Sequence, residues 1–264
     1  MKHFEINEQY LQQQSVIHEF VDNFDVDGIP FGDQDRNSLK LFQIGDDVIN
    51  IKSFRVPNFF NRLAYNFFRK SKAQRSFEYA NKLIALGVGT PQPIAYFEFK
   101  SFLFFNKSYY VSEQLDCDLT YRELTLDLNF PNHEAILRAF TRFTYNMHEK
   151  GIHFLDHSPG NTLIKINNGS YEFSLVDLNR MEFKPLDFET RIKNFSRLTV
   201  HKSMIEIMSD EYAKCINEDY DKVYNLMLKY TKAFQERYYR KIRLKKRVFF
   251  WKKKYANRPT RSPL

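Results

Sequence analysis

Residues 151–180 read GIHFLDHSPGNTLIKINNGSYEFSLVDLNR, and the fold turns on how this stretch is read. Gly151 closes a helical pattern, and Asp156 then stands in a loop. Asn161 follows five residues later, just ahead of two strand-like runs that turn at Asn167-Asn168-Gly169. Asp177 comes at the end of the second run. Three oxygen-bearing side chains are thereby delivered to one end of a small sheet.

Phosphoryl transfer requires such a set. A carboxylate must stand near the attacking hydroxyl, and hard oxygen ligands must hold the Mg²⁺ that bridges nucleotide phosphates. In this reading Asp156 accepts or orients the hydroxyl proton, while Asn161 and Asp177 hold the metal. The same chemistry calls for a strand lysine on the α/β-phosphates, held by a helical glutamate. Lys52 and Glu78 occur in that order. Glu113 to Leu115 fall where a hinge would meet adenine through backbone groups, so ATP with Mg²⁺ is the expected nucleotide.

Working outward, residues 38–55 alternate around Gly45-Asp46-Asp47 and predict a hairpin carrying Lys52 on its second strand. Residues 59–86 have apolar side chains at helical spacing, and Gly87, Gly89, Pro91 and Pro93 end the helix. Residues 94–115, rich in aromatics and broken at Asn106-Lys107, predict two or three more strands. Helix is expected over 133–150, a hairpin over 162–176 and mostly helix over 186–254. The start of the chain is polar and suggests no element. The architecture expected is α+β. It has a small β-rich N-lobe with one main helix (residues 1–115), a mainly helical C-lobe (116–236) and a basic aromatic tail (237–264).

The array of Lys52, Glu78 within RSFEYANKLIALGVGTPQPIAY, the loop DHSPGNTLI and LVDLNRMEF with Asp177 resembles the lipopolysaccharide kinase family. These are protein-kinase-like enzymes of Gram-negative bacteria that phosphorylate inner-core sugars, the Kdo kinases and core heptose kinases. The resemblance covers roughly residues 36–185. It implies an ATP-dependent phosphotransferase acting on a sugar hydroxyl, most simply of Kdo on a lipid A precursor. A heptose, another small molecule or a protein are the other acceptors, and an inactive pseudokinase-like binding module is the non-enzyme alternative. Three departures stand out. Only Gly28 and Gly32 could serve as a phosphate-covering loop; Phe154 occupies the position two before Asp156; and Asp177 is followed by Leu-Asn. They point away from a regulated protein kinase. His153 and His157 read as structural, Arg180 as either a phosphate contact or a salt bridge, and Arg36 and Asn37 as a turn cap.

Composition narrows the rest. A 264-residue chain with 43% hydrophobic residues, 27 Phe and 16 Tyr can build a core, which excludes wholesale disorder. Cys117 and Cys215 have no zinc-like spacing, which suits a reducing cytoplasm. MKHFEINEQY is no signal peptide, and no long uncharged apolar stretch occurs. The net charge is +8, but the segment from Arg237 onward holds 12 basic residues and no acid, leaving 28 basic against 32 acidic residues in the body. Phe249, Phe250 and Trp251 flanked by basic runs favour an anionic membrane over nucleic acid. The expected location is cytoplasmic, peripheral on the inner face of the inner membrane.

Overall fold

The computed structural model describes residues 2–32, 37–54, 70–100 and 105–256, without the side chains of residues 105, 106 and 248–256. Arg36, residues 59–69 of the expected helix, and the Phe249, Phe250 and Trp251 side chains lie outside the described residues.

The N-lobe is built on a six-stranded antiparallel sheet. In chain order its strands are β1 (Lys2–Ile6), β2 (Ile29–Pro30), β3 (Asn37–Ile44), β4 (Asp47–Phe54), β5 (Pro93–Lys100) and β6 (Phe105–Glu113). Across the sheet they run β1-β5-β6-β4-β3-β2. The β3–β4 hairpin turns at Gly45-Asp46, where Gly45 takes the positive φ that glycine adopts without a Cβ clash. Successive β4 side chains point to opposite faces. Ile49 and Ile51 therefore enter a core with Phe42, Phe97 and Val111, covered by helix α1 (Gln14–Asp22) through Ile17 and Val21. Lys52 and Phe54 fall on the other face. There Phe54 packs with Phe77 of helix α2 (Lys72–Ala85) and Tyr96. Strand β1 and helix α1 were not foreseen in the polar start.

Helix α2 begins at Ser71, whose side chain accepts from the Gln74 N–H at 3.0 Å as an N-cap, and Gly87 at φ +65° ends it. Its inner face, Ala80 and Leu83, joins Met147, Ile152, Phe154, Leu175 and Leu178, so α2 is seated directly on the segments flanking Asp156 and Asp177. Gly89 is the point of closest approach. A Cβ there would stand 2.3 Å from the Phe173 carbonyl oxygen, and its own carbonyl accepts from Leu175 N–H at 2.8 Å.

The C-lobe holds β7 (Leu119–Thr120), α3 (Tyr121–Leu126), α4 (His133–Glu149), β8 (Ile152–Phe154), β9 (Thr162–Asn167), β10 (Ser170–Leu175), β11 (Met181–Phe183), α5 (Phe188–Asn194), α6 (Lys202–Ile216) and α7 (Tyr220–Ala256). Strands β9 and β10 form the expected hairpin, with Asn168 and Gly169 both at positive φ. Strands β8 and β11 pair separately, clamping the loop between them. The helical stretch expected over 186–254 is three helices, the second ended by Asn217 in the left-handed region. The expected two-lobed α+β arrangement is the one observed.

Two buried histidines tie α4 and the loop after β8 into this core. The His148 ring is hydrogen-bonded to Tyr212 Oη at 2.8 Å and Asn194 Oδ1 at 3.1 Å. His157 packs among Phe140, Phe154 and Phe195. Burial lowers the pKa of His148 to about 4 and of His157 to about 3, so both are neutral when folded. Unfolded histidine titrates near 6.5, and the unfolded chain therefore takes up protons first as pH falls. Stability should be flat in these groups above about pH 6.5 and fall below it by about 1.4 kcal/mol per pH unit for each ring. Urea titrations between pH 7.5 and 5 should show this slope, and His157→Phe should reduce it by about one ring's share. An unchanged slope in that variant would remove His157 from the acid response.

Candidate active site

Between the lobes lies a cleft of about 530 Å³ whose walls include Leu39, Lys52, Tyr110, Leu115, Asn161, Leu163 and Asp177. Its apolar sides come from both lobes and Lys52 and Asp177 meet within it, a form that suits a planar base with a charged extension. Lys52 reaches it because strand alternation turns it away from the Ile49/Ile51 core. Asp177 reaches it because the chain leaves β10 in a left-handed conformation, φ +57°. A non-glycine residue in that region is held there by its surroundings. Here Lys52 Nζ donates to Asp177 Oδ1 at 2.5 Å and Asn179 Nδ2 donates to the same atom at 2.8 Å. The Leu-Asn pair after Asp177 thus has work to do: Leu178 is buried in the core and Asn179 holds the carboxylate.

Asn161 donates its side-chain N–H to the Asp156 carbonyl at 2.8 Å, which ties the two ends of the 156–161 loop together. An amide that spends its N–H₂ on the loop has its oxygen available for a cation. Asn161 and Asp177 therefore fit a hard divalent metal that completes its shell with phosphate oxygens and water, the usual habit of Mg²⁺. Among the described residues no group of three or more His, Cys, Asp or Glu forms a metal cage on its own.

Asp156 lies just outside the cleft lining, joined to it by Asn161. Arg197 Nη1 donates to Asp156 Oδ1 at 2.7 Å, and Arg180 Nη1 stands 3.8 Å from Oδ2. Arg180 thus faces the Asp156 carboxylate. Lys72, at the start of α2, lies over the Phe54 ring at 5.9 Å, with Lys52 over the same ring at 5.4 Å. Burial and then the Arg180 charge hold Lys72 below the usual lysine range, with Asp177 pulling the other way. Cations pressed together in this way are relieved by an incoming polyanion. Lys72 and Arg197 were not singled out from the sequence. Both are brought in by tertiary packing, and no spacing rule points to them.

One expectation requires correction, while the expected hinge residues Glu113 and Leu115 both line the cleft. Glu78 is not paired with Lys52: Lys70 Nζ donates to it at 2.7 and 2.8 Å, Gln74 Nε2 donates at 3.0 Å, and Lys52 is engaged by Asp177. The reason is proximity, since Lys70 and Gln74 flank Glu78 along the same helical approach. The Glu113 backbone N–H is spent on the Gln92 carbonyl at 2.9 Å and that of Gln114 on Val48 at 2.9 Å. The Glu113 carboxylate meanwhile accepts from Tyr10 Oη at 2.6 Å. Among the described residues the Leu115 N–H makes no such bond, and Leu115 lines the cleft. Gly28 is needed against Phe42, whose ring would stand 2.5 Å from an added Cβ, and Gly32 immediately precedes residues 33–36, which lie outside the described residues.

Comparison with known families gives a match to the model "Lipopolysaccharide kinase (Kdo/WaaP) family" over residues 57–220, well over half of the chain. The match begins beyond Lys52 and does not include it. Among solved structures, one described as "WaaP in complex with acyl carrier protein" superposes with a TM-score of 0.63 at 14% identity, covering 89% of this chain and 98% of that one. A comparison with curated proteins returns no match.

Proposed function

The chain belongs to the lipopolysaccharide kinase (Kdo/WaaP) family, a family of phosphotransferases, and from that premise we propose that it moves the γ-phosphoryl of ATP onto a sugar hydroxyl of the lipopolysaccharide inner core, with Kdo on a lipid A precursor as the acceptor. The observation that carries the reading is that Lys52, Asn161 and Asp177 all line one cleft, Lys52 bonded to Asp177, with Asp156 bonded to Asn161 at its rim.

The base of the nucleotide lies between the apolar walls and takes the Leu115 N–H. Lys52 exchanges its bond to Asp177 for phosphate oxygens. Asn161 and Asp177 would hold Mg²⁺, which when bound neutralises charge on the phosphates. Asp156 takes the proton of the acceptor hydroxyl as its oxygen forms a bond to the γ-phosphorus and the bond to the β-phosphate oxygen breaks, releasing ADP. Arg180, beside Asp156, lies where an acidic sugar or the transferred phosphoryl would need a counter-charge.

The tail supports a membrane location. Helix α7 runs on to Ala256, and Tyr238, Tyr239 and Leu244 are each more than half exposed amid basic residues. No helix among the described residues is long and apolar enough to cross a membrane. A basic helix with exposed aromatics instead lies in an anionic surface, each Lys or Arg contributing about 1 kcal/mol.

One experiment tests both parts. Full-length protein and a chain ending at Glu236 are given labelled ATP, with Kdo-bearing or heptose-bearing acceptors either displayed in anionic vesicles or dispersed in detergent. The expected result is label on Kdo, with the shorter chain losing transfer on vesicles while keeping it in detergent. Label on heptose alone would replace the acceptor, absence of label on any core sugar would overturn the reading, and equal transfer on vesicles would remove the tail from it.

A further inference from the structure

The segment 193–197, made of the end of α5 and the short turn after it, lies between the catalytic loop and the C-terminal helix. On one side it is welded to the loop. Asn194 Nδ2 donates to the Phe154 carbonyl at 2.8 Å, and Arg197 Nη1 donates both to the Leu155 carbonyl at 3.0 Å and to Asp156 Oδ1 at 2.7 Å. On the other side it grips helix α7 at two rings one turn apart. Lys193 Nζ stands 5.8 Å from the Tyr230 ring centre, and the Arg197 guanidinium lies 5.4 Å from that of Phe234.

Arg197 also leaves its buried Nε without a hydrogen-bond partner among the described residues. A buried donor left unmet costs about 1–3 kcal/mol, so stability alone gives no reason to place an arginine here. A planar cation with one nitrogen on the loop and one face on a ring does explain it, since Nη1 is then fixed in direction and holds the carboxylate against the Leu155 carbonyl.

We propose that Arg197 is a positioning residue for the Asp156 carboxylate and that Phe234, well inside helix α7, holds Arg197 in place, so that seating of the C-terminal helix and alignment of the catalytic loop are a single event. The proposal rests on the reading of Asp156 as the base. It gives the long helix a second task besides carrying the basic segment: a helix displaced at Phe234 takes away the ring against which the guanidinium lies and leaves Arg197 with its loop contacts alone.

Steady-state kinetics on the full chain test it with Arg197→Ala, Arg197→Lys, Phe234→Leu, and Arg197→Ala combined with Asp156→Ala. Arg197→Ala should lower kcat by about 10–100-fold with the KM for ATP within twofold. The lysine variant should recover part of that loss, and Phe234→Leu should lower kcat several-fold in the same pattern. In the Asp156→Ala background the arginine substitution should cost nothing further, because its effect runs through that carboxylate. An equal loss in that background, or a kcat that only follows the folded fraction measured by thermal melting, would overturn the proposal. Failure of the base reading shows separately, as wild-type turnover by Asp156→Ala alone.

Discussion

Asp156→Ala should lower turnover by about 10²–10⁴-fold, the range that loss of a general base commands, while leaving nucleotide binding in place. The two effects separate because the carboxylate is not in the cleft lining: Lys52, Asn161, Asp177 and Leu115 are, and Asp156 meets them only through its backbone carbonyl. Alanine keeps that carbonyl. ATP at a hundred times its Kd stabilises a folded protein by about 2.7 kcal/mol, and for a chain of this size each kcal/mol moves Tm by about 2–4 °C, so a shift of several degrees should persist in the variant. Asp156→Asn provides the control for packing. It preserves an oxygen for Arg197 but cannot accept the proton, and should be as inactive as alanine. Turnover near wild type in either variant would remove Asp156 from the chemistry, and loss of the thermal shift would mean that the loop itself had collapsed.

The parts of this site that were legible in the sequence are those made by contiguous chain. Asp156, Asn161 and Asp177 lie within one loop and one hairpin, and the turn residues Asn168 and Gly169 announce that hairpin through their left-handed preference. Lys52 was legible because alternation on β4 puts apolar residues at Ile49 and Ile51 and leaves the lysine on the other face. What sequence order could not supply is the choice of partner. Lys52 and Asp177 are 125 residues apart and Arg197 and Asp156 are 41 apart, and nothing local in either pair signals the contact. Strand β1 was hidden for a related reason. It is a five-residue edge strand with three exposed middle residues, too short for Phe4 and Ile6 against His3 and Glu5 to stand out from the polar start, and its place is set by the register with β5. The breaks in the long C-terminal helical stretch were hidden because Asn217, and no glycine or proline, supplies the stop.

Lys52→Ala should lower kcat/KM for ATP by about 10–150-fold, and Glu78→Gln should lower it by less than about fivefold. The larger figure follows from the removal of one charge-assisted hydrogen bond in a partly buried cleft, worth about 1.5–3 kcal/mol. Lys52 is 15% exposed, and it is the cation bonded to Asp177, so its loss both removes a phosphate ligand and leaves that carboxylate to Asn179 alone. The smaller figure follows from where Glu78 spends its charge. Its ion-pair partner Lys70 is 59% exposed, and a pair at the surface contributes about 0–1 kcal/mol. Protein-kinase chemistry would rank the two residues together, because the glutamate there holds the lysine on the phosphates. Here the lysine is already held by the acid expected to bind the metal, so in the proposed reaction ATP and Mg²⁺ would take Lys52 and Asp177 apart on entering the cleft. If Glu78→Gln nevertheless costs as much as Lys52→Ala, then Glu78 leaves Lys70 for Lys52 once nucleotide has separated it from Asp177. A Lys70→Ala variant would then raise kcat/KM by releasing the glutamate, whereas with Lys52 independent of Glu78 it should change nothing.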